Sequence, residues 1–310
     1  MMKMMKGFCL VSFLVLIITP AAMASKVLPG PLVNSEWLDA NISKVIVLDV
    51  AKSSASYDTE GHIPGAVFVS WGDVRAKRNV DGVDLIKLIP LADDFAALMR
   101  SAGVDQDSSV VVSCEGDTYD AVTFATRLLW TLKYFGLDDV ALLDGGNAQW
   151  VAEGYALTTE ASSVVEGNFV AVKEEADMYA TTAEVVNGIT DFNSQLLDGR
   201  ELSYYLGVKM KSYVYNPGHV PSAKNLPYEL LFSAEPPYTF ADVDDVAQAM
   251  TATGLDLDGA FITICNSGHK ASGQWFVIHE LMGNKRTELY DGSMHEWTMD
   301  TSLPVSIEME

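Results

Sequence analysis

Gly61-His62-Ile63-Pro64-Gly65-Ala66 and Gly218-His219-Val220-Pro221-Ser222-Ala223 are one hexapeptide written twice, and the repetition extends to what surrounds it. Ahead of the first copy stands Val45-Ile46-Val47-Leu48-Asp49-Val50, and ahead of the second Gln195-Leu196-Leu197-Asp198-Gly199-Arg200. Behind them come Val110-Val111-Val112-Ser113-Cys114 and Phe261-Ile262-Thr263-Ile264-Cys265. The last station is Leu142-Leu143-Asp144-Gly145-Gly146 with Trp150, matched by Leu289-Tyr290-Asp291-Gly292-Ser293 with Trp297. The same stations in the same order mean that the chain is built from two copies of one unit.

The short apolar runs 45–50, 108–113, 140–143, 194–198, 260–264 and 287–290 have strand length and β-branched content, and each is closed by Asp, Gly or Cys. They read as buried parallel strands. Amphipathic stretches at Asp93 to Ser101, Phe124 to Phe135, Val243 to Thr253 and Ser272 to Met282 have helical period. Strand and helix alternate, so each half is expected to be an α/β layer structure, a parallel sheet flanked by helices on both faces. The expected boundaries are 30–157 for the first unit, a polar connector at 158–173 and 174–310 for the second. A length of 310 residues, 49% of them apolar, suits two cores of ordinary size. Within the hexapeptide, Gly and Pro fix a tight turn that the His can bridge, so His62 and His219 read as structural.

The chain opens with Lys3 and Lys6, an apolar run from Phe8 to Thr19, Pro20 and the small residues Ala21-Ala22-Met23-Ala24. This is the pattern of a secretory signal peptide, residues 1–24, with cleavage expected after Ala24 and a periplasmic or secreted product. The run is shorter than the roughly 20 residues a spanning helix needs; a retained anchor is the alternative. The formal charge of −22 repels nucleic acid and anionic membrane surfaces, so neither is an expected partner. A small anionic substrate needs a locally positive pocket inside that negative field.

Of three cysteines, Cys9 belongs to the signal segment, leaving Cys114 and Cys265. A bridge between them is the simplest structural use, but a core of this size does not need one. Cys265 directly follows an apolar strand and opens the loop Cys265-Asn266-Ser267-Gly268-His269-Lys270, after which a helix runs to Met282. Ligands bind at the carboxyl ends of strands in such sheets. The loop's N–H groups and those of the first helical turn are expected to converge on an anion and to favour a thiolate at Cys265. Gly268 supplies the turn, and Lys270 with His269 is expected to add positive charge at the rim. Cys114 ends the matching strand of the first unit, yet Glu115, Asp117 and Asp120 crowd its loop and disfavour a thiolate. The interval from Cys114 to Asp144 is also longer than that from Cys265 to Asp291. Cys114 reads as non-catalytic.

Asp198-x-Arg200, Gly-His-Val-Pro-x-Ala, the six-residue Cys265 loop and Asp291-Gly-Ser-x-x-x-Trp297, following a degenerate copy of themselves, resemble the tandem-domain rhodanese-type sulfurtransferases, the thiosulfate and 3-mercaptopyruvate sulfurtransferase family. The resemblance covers nearly all of the chain after residue 24. It implies two rhodanese-like domains, the first inactive and the second catalytic, with Cys265 carrying a sulfane sulfur as a persulfide. By the same comparison Arg200 binds the donor's anionic group, a task suited to a planar guanidinium. Asn266, Ser267, Gly268, His269 and Lys270 form the rest of the substrate site. The implied partners are a small anionic sulfur donor and a thiol, cyanide or protein acceptor. Thiosulfate-preferring members tend to carry basic residues early in the loop, where this chain has Asn266 and Ser267, so the donor stays open.

The resulting chemistry is covalent catalysis in two steps and needs no metal and no cofactor. A phosphatase with a similar cradle requires an arginine where this chain has Ala271, and a Cys/His hydrolase requires a general base that no His supplies. The alternative is a non-catalytic periplasmic sulfur carrier or binding protein on the same scaffold.

Overall fold

The computed structural model describes residues 26–80, 82–171 and 176–309. The expected export segment, residues 1–24, lies outside them, as do residues 172–175, where the connector was expected to meet the second unit.

Among the described residues the strands are β1 (Leu32–Val33), β2 (Ile46–Ala51), β3 (Val67–Ser70), β4 (Ala76–Val80), β5 (Val83–Leu88), β6 (Val110–Ser113), β7 (Val140–Leu143), β8 (Gln195–Asp198), β9 (Lys224–Asn225), β10 (Phe261–Ile264) and β11 (Thr287–Leu289). They form one parallel sheet in the order β1-β7-β6-β2-β3 and a second in the order β11-β10-β8-β9. β4 and β5 make a separate antiparallel ribbon. The registers match between the units: Asp49 pairs with Ser113 in the first, and Asp198 with Ile264 in the second. Each pairing leaves a cysteine, Cys114 or Cys265, one residue past the strand end.

Strand alternation assigns each side chain to a layer. Leu48, Val50, Val110, Val112 and Leu142 join Leu197 and Phe261 of the second sheet in one continuous core. Val47, Val111, Ala141 and Leu143 point the other way, into a core with Trp150, while Leu196, Ile262 and Ile264 point to one with Trp297. The shared core contains two helices, Tyr119–Tyr134 from the first unit and His269–Trp275 from the second. Each fully buried Leu or Val in it contributes about 1.5–3 kcal/mol. The two helices also meet through hydroxyls: Thr126 Oγ1 and Ser272 Oγ are 2.7 Å apart.

The hexapeptide does the same work in both units. His62 stacks on Tyr57 and His219 on Tyr205, both at 3.6 Å between ring centroids. The Tyr57 hydroxyl donates to the Ala66 carbonyl and the Tyr205 hydroxyl to the Ala223 carbonyl, both at 2.6 Å. Gly218, at φ +113, packs so closely that a Cβ there would lie 2.2 Å from the Ser306 carbonyl oxygen. Only glycine fits.

Two helices start three or more residues earlier than periodicity predicts. The helix expected from Phe124 begins at Tyr119, because the Thr118 hydroxyl accepts from the Ala121 N–H and caps it. The helix expected from Ser272 begins at His269, straight after left-handed Gly268, and continues as a π-helix over Phe276–Leu281.

Candidate active site

β8 and β10 are neighbours, so Arg200 and Cys265 emerge at the same carboxyl edge. The turn from Cys265 to Gly268 is wound around one atom, Oγ of Ser293. It accepts from the N–H groups of Cys265 (3.0 Å) and Gly268 (3.1 Å) and donates to the Tyr290 carbonyl (2.7 Å). This corrects the expectation that those N–H groups point at an anion, since the Ser293 hydroxyl occupies two of them. The Ser267 N–H does face the sulfur, 3.5 Å from Sγ.

Gly268 is likewise a turn residue and does not border the cavity. Its φ is +65, and a Cβ would lie 2.4 Å from Nη1 of Arg127. Arg127 comes from the middle of the apolar Tyr119–Tyr134 helix and is fully buried. Its Nη1 donates to the Gly268 carbonyl at 3.1 Å, and its Nη2 pairs with Asp291 Oδ1 at 2.5 Å. Asp291 Oδ2 accepts from the Ile89 N–H at 2.7 Å, just beyond β5. The first unit thus grips the Cys265 loop through a buried ion pair.

The β4–β5 ribbon reaches across to the same place. Ile86 N–H donates to Nε2 of His295 (3.1 Å), whose Nδ1 donates to the Tyr213 carbonyl (2.7 Å). Between these anchors Lys87 takes φ +67. Such a backbone costs a non-glycine residue about 1–3 kcal/mol and persists only where neighbours hold it. The Lys87 ammonium ends 3.5 Å over the Tyr213 ring.

A cavity of about 410 Å³ opens above Cys265. Five basic side chains border it, Arg200, Lys211 and Lys270 from the second unit with Arg75 and Lys87 from the first, against two acids, Asp120 and Glu201. Tyr204, Tyr213 and Tyr228 complete the walls with Asn266, Ser267 and His269. A chain of net charge −22 therefore concentrates positive charge at this one cysteine. Burial and the repulsion of Arg75 and Lys211 lower the Lys87 ammonium to about 8. Burial and neighbouring Arg127 lower the Arg75 guanidinium to about 10.

The residues expected at the site fall into two groups. Arg200 borders the cavity with Nε and Nη2 committed to Asp198 and to the Gly218 carbonyl, which fixes its orientation. Lys270 borders it over the Tyr228 ring (3.9 Å), ion-paired with Asp120; burial lowers its ammonium while that pair opposes the shift. Asn266 and Ser267 border it as well. His269 does not bring the expected charge. Its ring lies between Trp71 and Phe124 with Nε2 2.8 Å from the Thr123 hydroxyl, and burial followed by Lys270 and Arg75 holds it far below the ordinary histidine range.

Arg75, Lys87, Lys211 and Arg127 escaped the sequence reading, which places Asp291 only at a strand end of the repeat. A lone arginine in the apolar run from Ala121 to Tyr134 was one available signal. The cluster of Arg75, Lys77, Arg78 and Lys87 in so acidic a chain was another.

Cys114 has none of this setting. It is a free buried thiol, as is Cys265, so the two are not bridged. Burial pushes its thiol well above the ordinary range, and the Asp49 carboxylate adds to the shift.

Two parallel-sheet units with a basic cavity over the second unit's strand-end cysteine define a tandem rhodanese. The rhodanese-like domain matches residues 34–153 and again 181–300, and the chain belongs to that family of sulfurtransferases and sulfur carriers. Among its relatives, a candidate thiosulfate sulfurtransferase of Saccharopolyspora erythraea is 29% identical over 90% of this chain and 97% of its own. The sulfur carrier protein TtuD of Thermus thermophilus is 30% identical over 90% and 97%. The crystal structure of SseA from Escherichia coli, described as a 3-mercaptopyruvate sulfotransferase with the rhodanese fold, superposes with a TM-score of 0.73. It is 25% identical and covers 85% of this chain and 98% of its own.

Proposed function

We propose that this protein is an exported sulfurtransferase that moves the sulfane sulfur of thiosulfate to a thiophilic acceptor through a persulfide on Cys265. The observation that carries the reading is the convergence of five basic side chains on the cavity above that cysteine. The positive charge that the loop lacks at Asn266 and Ser267 is supplied through space by Arg75, Lys87 and Lys211. A small dianion suits such a field better than the singly charged carboxylate of 3-mercaptopyruvate.

In the first step the Cys265 thiolate attacks the outer sulfur of thiosulfate. A sulfur–sulfur bond forms to Cys265, the donor's own sulfur–sulfur bond breaks, and its electron pair leaves on sulfite. In the second step a thiolate or cyanide attacks the outer sulfur and returns the electron pair to Cys265. The Ser267 N–H stabilises the sulfur anion in both states. Arg200 and Lys87 hold the donor's oxygens, and Lys270 offsets the charge that develops on the departing sulfite.

A sulfur carrier that discharges only to a protein is the second reading, supported by the likeness to TtuD. Steady-state thiocyanate formation from thiosulfate and cyanide, set beside pyruvate formation from 3-mercaptopyruvate, tests the proposal. Thiosulfate is expected to be the better donor by kcat/KM. Preference for 3-mercaptopyruvate refutes the donor assignment, and turnover of neither favours the carrier.

A further inference from the structure

The first unit has a cavity of its own, about 400 Å³, at the carboxyl edge of its sheet, where the repeat places the counterpart of the Cys265 cavity. The repeat therefore supplies an internal comparison. Asp49 corresponds to Asp198, Ala51 to Arg200 and Cys114 to Cys265. Hydrogen bonds fix this equivalence: the Asn147 and Ala148 N–H groups donate to the Cys114 and Glu115 carbonyls as those of Met294 and His295 do to Cys265 and Asn266.

In the second unit the aspartate is closed by its own chain. Arg200 Nε donates to both oxygens of Asp198 at 3.0 Å, and Nη2 donates to Oδ2 at 2.6 Å. In the first unit that guanidinium is missing, because its position is Ala51. Asp49 Oδ2 accepts from Asn147 Nδ2 at 2.7 Å, but Oδ1 has no donor among the described residues, although the side chain is only 2% exposed. A buried carboxylate oxygen without a donor is costly. Asp49 and Ala51 both line the cavity, with Glu60, Glu115 and Asp117, and among the described residues no Lys or Arg lines it. The charge of the second cavity is thus inverted in the first.

We propose that this cavity binds a small alkylguanidinium, whose planar cation lies beside Asp49 as Arg200 lies beside Asp198. A forked donor suits the geometry, since one aspartate oxygen is free and the other already carries a single bond. Guanidinium is also more weakly hydrated than ammonium and enters a buried site more readily. Burial holds the Asp49 carboxyl up at about 6, the condition of a carboxylate short of a cationic partner. Cys265 plays no part in this binding.

The probe is ethylguanidinium, which reproduces an arginine side chain beyond Cβ. Calorimetric titration of the full chain at physiological salt is expected to give saturable binding at one site. Tetramethylammonium, a cation without N–H donors, is expected not to compete. Asp49→Asn is expected to weaken binding at least tenfold, and Ala51→Arg to do the same by filling the site from within. Cys265→Ser is expected to bind as wild type. Should Ala51→Arg fail to fold, Asp49→Asn and the competition decide alone. The absence of saturable binding to wild type, equal binding by Asp49→Asn, or displacement by tetramethylammonium would overturn the assignment.

Discussion

Lys87 reaches the Cys265 cavity from the other unit on a left-handed backbone, and replacing it with methionine removes one cation while keeping most of its apolar length. A hydrogen bond to a charged group contributes about 1.5–3 kcal/mol, and each 1.36 kcal/mol is tenfold in rate, so kcat/KM for thiosulfate should fall about 10- to 150-fold. The pH profile adds a signature that a structural defect would not produce. Lys87 titrates at about 8 and is protonated below that value, so wild-type kcat/KM should decline as pH rises through about 8. In Lys87→Met that decline should be absent, the variant being uniformly slow at neutral pH and converging on wild type in alkali. Steady-state rates between pH 6 and 9, below the range in which Arg75 titrates, measure both effects with cyanide saturating. A variant with unchanged kcat/KM at pH 7, or one that keeps the alkaline decline, would refute the reasoning.

Arg127→Met leaves Asp291 buried without its partner and should lower unfolding free energy by about 3–5 kcal/mol, read from the urea midpoint; a loss under about 1 kcal/mol would contradict the role given to that pair. Gly268→Ala forces a side chain into a left-handed turn against the Arg127 guanidinium. It should cost about 1–3 kcal/mol from the backbone alone and slow sulfur transfer, and full activity with wild-type stability would be inconsistent with the packing. His269 has a folded pKa below its unfolded value, so its contribution is fully present above about pH 6.5 and is lost as pH falls. Between pH 6 and 5, wild-type stability should therefore drop more steeply than that of His269→Gln, by up to about 1.4 kcal/mol per pH unit. Equal slopes in urea titrations would remove His269 from the acid response.

What could be read from the sequence was what is local. The strands β2, β6, β8 and β10 announce themselves because a parallel strand buried on both faces is rich in apolar residues, as at Ile46-Val47-Leu48, Val110-Val111-Val112, Leu196-Leu197 and Phe261-Ile262. The Cys265 loop was legible because strand, turn and helix are contiguous. The β4–β5 ribbon was not, since Ala76-Lys77-Arg78-Asn79-Val80 is half-buried to exposed along its whole length and carries no core signal of its own. For the same reason Arg75 and Lys87 could not be placed at Cys265, far along the chain from either. The anion-binding loop was misread in part. Its N–H groups were visible, but the left-handed Ser293 that brings a hydroxyl beneath them depends on the turn after β11.

Intact-mass analysis followed by peptide mapping, after brief exposure of the purified protein to thiosulfate without acceptor, bears most directly on the sulfur-carrying role of Cys265. The account predicts one added sulfur atom per chain, located on Cys265, removed by cyanide, and absent in Cys265→Ser while Cys114→Ser loads as wild type. A sulfur found on Cys114, or a Cys265→Ser protein that still takes up sulfur, would contradict it.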